Sequence, residues 1–326
     1  MVKHGPYIGI DLGGTNVQAG VVGVNRKILG RAKTKTKADE GAAAVVARIA
    51  ETAREAARSA GIKFSRIQGV GIGAPGAINP KTGVVIEAVN LRWRDFHLAA
   101  ALRRLLGVPV LVDNDVNVAA WGEHMAGAGR RHPDMLAVWV GTGIGGGLIL
   151  RNELYYGHHF TAGEIGHTLL HADAPRGRRT LENCASRTAV VNLLTQLIAA
   201  NHPSLISDIV KGDVNAIRSK VLAKALEAHD PLTEEVISHA ARYVGVAIAN
   251  SVTLLSLPCV VVGGGVTESL GSAWLKKVCE TFVATVFPAH LARDCQVLAS
   301  TLGDDAGLIG AALLARQKLV ETFGKR

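Results

Sequence analysis

An apolar run, Tyr7-Ile8-Gly9-Ile10, leads straight into Asp11-Leu12-Gly13-Gly14-Thr15. A buried strand ending in an acid, two glycines and a threonine constrains the fold more than any other stretch of the chain. Glycines at a strand end let backbone N–H groups approach an anion closely. The threonine hydroxyl adds a donor, and the aspartate can hold a cation beside the anion. The design recurs twice. Met135-Leu136-Ala137-Val138-Trp139-Val140 runs into Gly141-Thr142-Gly143-Ile144-Gly145-Gly146-Gly147, and Pro258-Cys259-Val260-Val261-Val262 runs into Gly263-Gly264-Gly265. Three such turns in one chain point to a nucleotide held between two lobes.

The rest of the pattern supports an α/β chain of two similar halves. Tyr7–Leu12, Gln18–Val24 and Lys27–Lys35 read as an antiparallel meander. Ala42 to Ala60 reads as a helix, with Val45, Val46, Ile49, Ala53, Ala56 and Ala57 at helical spacing and Gly61 as its stop. A short buried strand, Ile67–Gly73, turns at Ala74-Pro75-Gly76, and a helix over Leu98 to Leu106 ends in Gly107. The strand Val108–Val112 then delivers Asp113-Asn114-Asp115 at its carboxyl end, where open α/β sheets place ligand chemistry. The second half restarts with a strand, a glycine turn and a strand. Helices are expected at about Ser186–Ala200, Val214–Ala228, Thr233–Leu257, Ala273–Phe287 and Asp305 to about Thr322, with strands at Cys259–Val262 and Gln296–Ala299. The crossover is expected near Asn117. The first lobe is then 1–116, with the C-terminal helix of about 305–326 packing back on it, and the second lobe is 117–304.

Composition excludes several partners. The chain carries 36 Lys and Arg against 27 Asp and Glu, a net charge of +9, which suits anionic ligands. Its densest basic run, Lys33-Thr34-Lys35-Thr36-Lys37, alternates at strand period and lacks interleaved aromatics. It reads as a solvated edge strand and not as a nucleic-acid surface. Val244 to Val266 is free of charge, but polar residues and Pro258 interrupt it, so it reads as a helix end and a buried strand, and no membrane segment is expected. The four cysteines, Cys184, Cys259, Cys279 and Cys295, form no close pair, and no signal-peptide pattern precedes Tyr7. Reduced thiols and a cytoplasmic location are the expectation.

Four motifs in order carry a resemblance: Asp11-Leu12-Gly13-Gly14-Thr15, Asn114-Asp115, Gly141-Thr142-Gly143-Ile144-Gly145-Gly146-Gly147 and Ala162-Gly163-Glu164-Ile165-Gly166-His167. From Tyr7 to about Ala315 the chain resembles the ROK family of repressors and sugar kinases. The resemblance implies the two-lobed actin-like/hexokinase ATPase fold, ribonuclease H-like in topology. It also implies ATP-dependent phosphorylation of a hexose, glucose to glucose 6-phosphate first among them. Asp115 would be the general base that takes the proton of the attacking hydroxyl. A helix N-cap is the plainer use of an aspartate at that place. Gly76, Asn90, Asn114, Asp115, Glu164, His167 and Glu182 would line the sugar. Asp11, Gly13, Gly14, Thr15, Asn16, Gly141, Thr142, Gly143, Gly264 and Gly265 would hold the nucleotide, and Asp11 would meet its Mg²⁺ through water. A cytoplasmic homodimer is the form that the resemblance implies.

One segment departs from the family. Most members carry three cysteines between the histidine and the second glutamate, and these complete a structural zinc site with the histidine. Here Asp173-Ala174-Pro175-Arg176-Gly177-Arg178-Arg179-Thr180-Leu181-Glu182 has none, and Cys184 alone does not replace three thiolates. No structural zinc is expected, and hydrogen bonds and arginine pairing should shape the loop. Only six residues precede Tyr7, too few for the DNA-reading domain of the family's repressors. Fructose, mannose, allose or an N-acetylhexosamine as substrate, polyphosphate as donor, and a non-catalytic sugar-binding relative all stay open at this level.

Overall fold

In the computed structural model, which describes residues 5–323, the meander forms as β1 (Tyr7–Leu12), β2 (Asn16–Val22) and β3 (Ile28–Lys35). β4 (Val70–Ala74) and β8 (Val110–Asn114) complete a five-stranded sheet in the order β3-β2-β1-β4-β8. β3 is an edge strand with Lys33 and Lys35 on its exposed face, as their alternation implies. β1, β4 and β8 run parallel, with Asp11 opposite Gly73 and Gly73 opposite Asp113. Their carboxyl ends therefore share one row, and Asp11 and Asp113 stand two strand spacings apart, about 10 Å.

α1 (Ala42–Ser59) and α2 (Leu98–Leu106) bury Val45, Ile49, Ala53 and Leu102 against one face, where Ile8 and Ile10 point. Gly9, between those two, faces the opposite side, where α11 (Ala306–Phe323) lies so close that a Cβ on Gly9 would stand 1.7 Å from the Leu308 carbonyl oxygen. Between β4 and α2 the chain builds a second, three-stranded antiparallel sheet of β5 (Ala77–Asn79), β6 (Val84–Ala88) and β7 (Trp93–Phe96). The sequence expectation held no such sheet, because these strands are too short to show a period.

α3 (Asp115–Ala126) follows β8 directly and packs on α11. Glycines set that crossing: a Cβ on Gly310 would stand 1.6 Å from the Val118 carbonyl oxygen. After α3 come β9 (Met135–Val140), β10 (Ile144–Leu150) and β11 (Glu153–Leu154). The chain divides into two compact units. The first comprises the described residues of Met1–Pro133, Gly147–Ala162 and Asp304–Arg326, and the second comprises Asp134–Gly146 and Gly163–Gly303. This differs from a boundary at 116/117: residues 117–133 group with the first unit because α3 is wedded to α11. The last three residues of the expected helix, 324–326, lie outside the described residues.

In the second unit β12 (Cys259–Gly263) runs parallel to both β9 and β13 (Gln296–Ala299). Its helices are α4 (Leu181–Ala185), α5 (Arg187–Ala199), α6 (Ile206–Ile209), α7 (Ser219–Glu227), α8 (Pro231–Leu255), α9 (Gly265–Thr285) and α10 (Leu291–Asp294). α8 starts at Pro231 because the Asp230 side chain caps it, accepting from the Thr233 amide at 3.0 Å. Two expectations change here. The helix expected at Ala273–Phe287 begins at Gly265 and bends at Gly271, whose φ of 62° no helix interior adopts. The helix expected at Val214–Ala228 is a short 3₁₀ turn, Val214–Ala216, and then α7. Among the described residues no helix is long and apolar enough to cross a membrane.

Candidate active site

In the first unit Asp11 sits at the end of β1, immediately before the glycine turn. Burial, and then the neighbouring Asp304 carboxylate, push its pKa up to about 6 against the pull of Lys33. The turn is closed by the Gly13 amide, which donates to the Asn16 carbonyl at 2.9 Å. Thr36, fully buried, braces it from β3's side: its hydroxyl donates to the Gly13 carbonyl at 2.6 Å and its amide to that of Thr15 at 2.9 Å. Asn90, exposed on a 3₁₀ turn, lies beside this loop, 3.4 Å from where a Cβ on Gly14 would be.

At the end of β8 the work of Asp113, Asn114 and Asp115 divides cleanly. Asn114 caps α3, its Oδ1 accepting from the amides of Val116 at 2.8 Å and Asn117 at 3.1 Å. Its Nδ2 donates to the Gly76 carbonyl at 3.1 Å. Gly76 holds φ 92°, and a Cβ there would collide with the Glu87 carbonyl oxygen at 2.1 Å. Asp115 is therefore not the cap. It is the first helical residue, half-buried, its Oδ1 accepting from the Val116 amide at 2.9 Å. Asp113 is buried and structural: it accepts from the Asn114 amide at 2.7 Å, from Asn117 Nδ2 at 3.1 Å and from the Tyr156 hydroxyl at 2.6 Å. Burial raises its pKa against the pull of those three bonds.

The second unit gathers the other glycine turns, because β9 and β12 are parallel neighbours with Trp139 opposite Gly263. Gly264 follows at φ 89° and caps α9, so that Gly265 opens a helix N-terminus whose amides can face an anion. The Gly141 turn is closed by the Gly141 amide on the Gly143 carbonyl at 2.9 Å. Arg187, the first residue of α5, fastens it: its amide donates to the Gly141 carbonyl at 2.9 Å and its Nη2 to the Thr142 hydroxyl at 2.5 Å. Burial, and then Arg218, lower the pKa of this guanidinium.

His167 and Glu182 both come within electrostatic reach of Glu164. Desolvation raises the pKa of Glu164; His167 opposes that shift and Glu182 adds to it. Glu182 also reaches the glycine turn, its Oε2 accepting from the Ile144 amide at 2.7 Å. A Cβ on Gly143 would stand 2.3 Å from that oxygen, so a side chain there would displace the Glu182 carboxylate. Two carboxylates and an imidazole can both donate to and accept from vicinal hydroxyls.

The donors in and beside the segment between His167 and Glu182 have neighbours of their own. The His171 ring packs edge-on against Tyr243, and Cys184 Sγ points to the Arg178 carbonyl. Among the described residues no group of three or more His, Cys, Asp or Glu side chains is placed to hold a metal. Hydrogen bonds shape the loop instead. Leu170 N donates to the Arg179 carbonyl at 2.8 Å, Leu181 N to that of Thr168 at 3.0 Å, and Arg179 Nε to that of Ala174 at 2.5 Å.

Thr36, Tyr156 and Arg187 were not singled out from sequence. Thr36 shares the inward phase of the alternating basic run. Tyr156 belongs to the pair Tyr155-Tyr156 in a chain with 4% aromatics. Arg187 sits at a helix N-terminus, where the macrodipole disfavours a cation, so its presence there needed a local reason.

Strand-end acids, glycine turns on two sheets and a helix N-terminus aimed from a turn define a nucleotide-dependent enzyme of the actin-like ATPase fold. The ROK family model matches residues 7–318, and the chain belongs to that family. It is 34% identical to the glucokinase of Halalkalibacterium halodurans over 321 residues, covering 96% of this chain and 95% of that protein. It is 33% identical to the glucokinase of Streptomyces coelicolor, over 96% of this chain and 98% of that one. Among solved structures, a ROK family glucokinase from Streptomyces griseus in complex with glucose and AMPPNP superposes with a TM-score of 0.85 at 34% identity. That match covers 96% of this chain and all, 100%, of the other.

Proposed function

We propose that this chain is an ATP-dependent hexose kinase that converts glucose to glucose 6-phosphate. The observation that carries the reading is full-length likeness to a glucokinase that binds glucose and an ATP analogue, joined to an aspartate that opens α3 without serving as its cap. The 6-hydroxyl oxygen attacks the γ-phosphorus as the bond to the β,γ-bridging oxygen breaks, and ADP leaves. Asp115 accepts the hydroxyl proton. Gly76 and Asn114 hold the loop beside it, while Asn90, Glu164, His167 and Glu182 bind the remaining hydroxyls. Gly13, Gly14, Thr15 and Asn16 from one turn, Gly141, Thr142 and Gly143 from another, and Gly264 and Gly265 present amides and hydroxyls to the nucleotide. Asp11, already crowded by Asp304, is the carboxylate that would hold the water shell of Mg²⁺, which would supply neutralisation of phosphate charge.

Glycolytic glucose entry in the cytoplasm, as a homodimer, completes the reading. A hexose panel with ATP and Mg²⁺, each sugar assayed for ADP release, tests it. Glucose is expected to give the highest kcat/KM; preference for fructose, mannose, allose or an N-acetylhexosamine would reassign the substrate. No turnover with any of them, alongside intact glucose binding, would make this a non-catalytic relative.

A further inference from the structure

A cavity of about 580 Å³ opens in the first unit between the C-terminal half of α3, the end of α11 and the turn after β2. None of its lining residues belongs to the sugar or nucleotide set. Three guanidinium groups, those of Arg26, Arg130 and Arg316, line it together with Asn152, and no acidic side chain does. Arg26 donates to the Met125 carbonyl, and the described ion pairs engage none of the three arginines. The nearby Glu123 carboxylate accepts from the Ala128 amide at 2.7 Å.

Two other lining residues, Trp121 and His124, carry unmet polar groups. Trp121 and His124 are 2% and 5% exposed, their rings 5.2 Å apart, and Trp121 Nε1 and His124 Nδ1 have no hydrogen-bond partner. Buried polar atoms are nearly always paired in native proteins, so these two enclosed nitrogens leave the wall of the cavity short of partners. The two nitrogens ask for different things. An indole N–H only donates. The His132 carbonyl favours a proton on the His124 ring and burial opposes it, with burial prevailing. The neutral ring, donating to that carbonyl from its other nitrogen, leaves Nδ1 as an acceptor.

We propose that this cavity is a second anion site, built for a small phosphate-bearing metabolite. Phosphate oxygens would meet the guanidinium forks of Arg26, Arg130 and Arg316, and a hydroxyl of an attached sugar would meet the Asn152 side chain. The volume accommodates a phosphorylated monosaccharide as readily as inorganic phosphate.

Titration calorimetry with inorganic phosphate and, separately, with glucose 6-phosphate tests this on the full chain held at saturating glucose and AMPPNP, so that the sites of those ligands are filled. Saturable binding of at least one probe is expected, and the tighter of the two identifies the source. Arg130→Gln with Arg316→Gln should weaken binding about ten-fold or more and leave basal kinase turnover unchanged. Arg316→Lys should lose less, because it keeps the charge. Absence of binding by both probes, or binding undiminished in the double variant, overturns the proposal. Failure of hexose phosphorylation itself would bear only on the kinase reading, since this site shares no residue with it.

Discussion

The Tyr156 hydroxyl donates a 2.6 Å hydrogen bond to the Asp113 carboxylate, which on its other oxygen accepts from the amide of Asn114. A phenol on a distant loop thus steadies the residue pair from which Asn114 and Asp115 project. Tyr156→Phe should cost about 1–3 kcal/mol of stability by leaving a buried carboxylate short of a donor. Because burial raises the Asp113 pKa, the folded state binds that proton more tightly than the unfolded chain does. Ionised Asp113 therefore opposes folding as pH rises through its folded value, and the lost bond matters most there. The melting-temperature deficit of Tyr156→Phe should shrink on acidification; a deficit that grew would contradict this account.

Asp115→Asn should keep the fold and sugar affinity, since the amide is nearly isosteric and retains an oxygen for the Val116 amide. Turnover should fall about 10²–10⁴-fold, the usual effect of losing a general base. A kcat within a few-fold of the parent would remove Asp115 from the mechanism.

The Asp11 pKa of about 6 predicts a pH dependence of nucleotide binding. A protonated Asp11 no longer attracts a cation, so the dissociation constant for Mg-ATP should rise as pH falls through 6 and level off above about 7. Asp11→Asn should abolish that dependence. It should also stabilise the ligand-free protein at pH 8 by about 1–3 kcal/mol relative to the parent, with the gain fading toward pH 4, because the raised pKa marks a carboxylate whose ionisation disfavours the folded state. Thermal melts at both pH values measure it.

Arg187→Gln should raise KM for ATP about ten-fold or more while changing KM for the hexose little, since its Nη2 fastens Thr142 in the Gly141 turn. Equal rises in both constants would point to general unfolding of α5.

Elemental analysis of the purified, dialysed protein should find no stoichiometric zinc, and a chelator should leave its melting temperature unchanged. One zinc per chain, lost in His167→Ala, would reverse the assignment.

How much was legible before the structure depended on how local the cause was. β1, α2, β9, β13 and the three glycine turns follow from runs and stops a few residues long, and the sequence reading meets them within a residue or two. The division of labour at the end of β8 was not legible: either Asn114 or Asp115 can cap a helix, and the Asn114 contact with Gly76 depends on a loop 38 residues upstream. The β5–β7 sheet escaped because strands of three to five residues carry no period. The grouping of 117–133 escaped because it depends on a glycine crossing between helices almost two hundred residues apart.

That crossing has a consequence for synthesis. The sheet that begins with Tyr7 keeps one face bare until α11 arrives, for Tyr7 and Val22 find their core partners in Ala312 and Ala315. A nascent chain emerging from the ribosome therefore holds its first strands unfinished while nearly the whole sequence is made. The first unit can close only once α11 has been made, and trimming the chain before Leu308 would leave Tyr7 and Val22 without those partners.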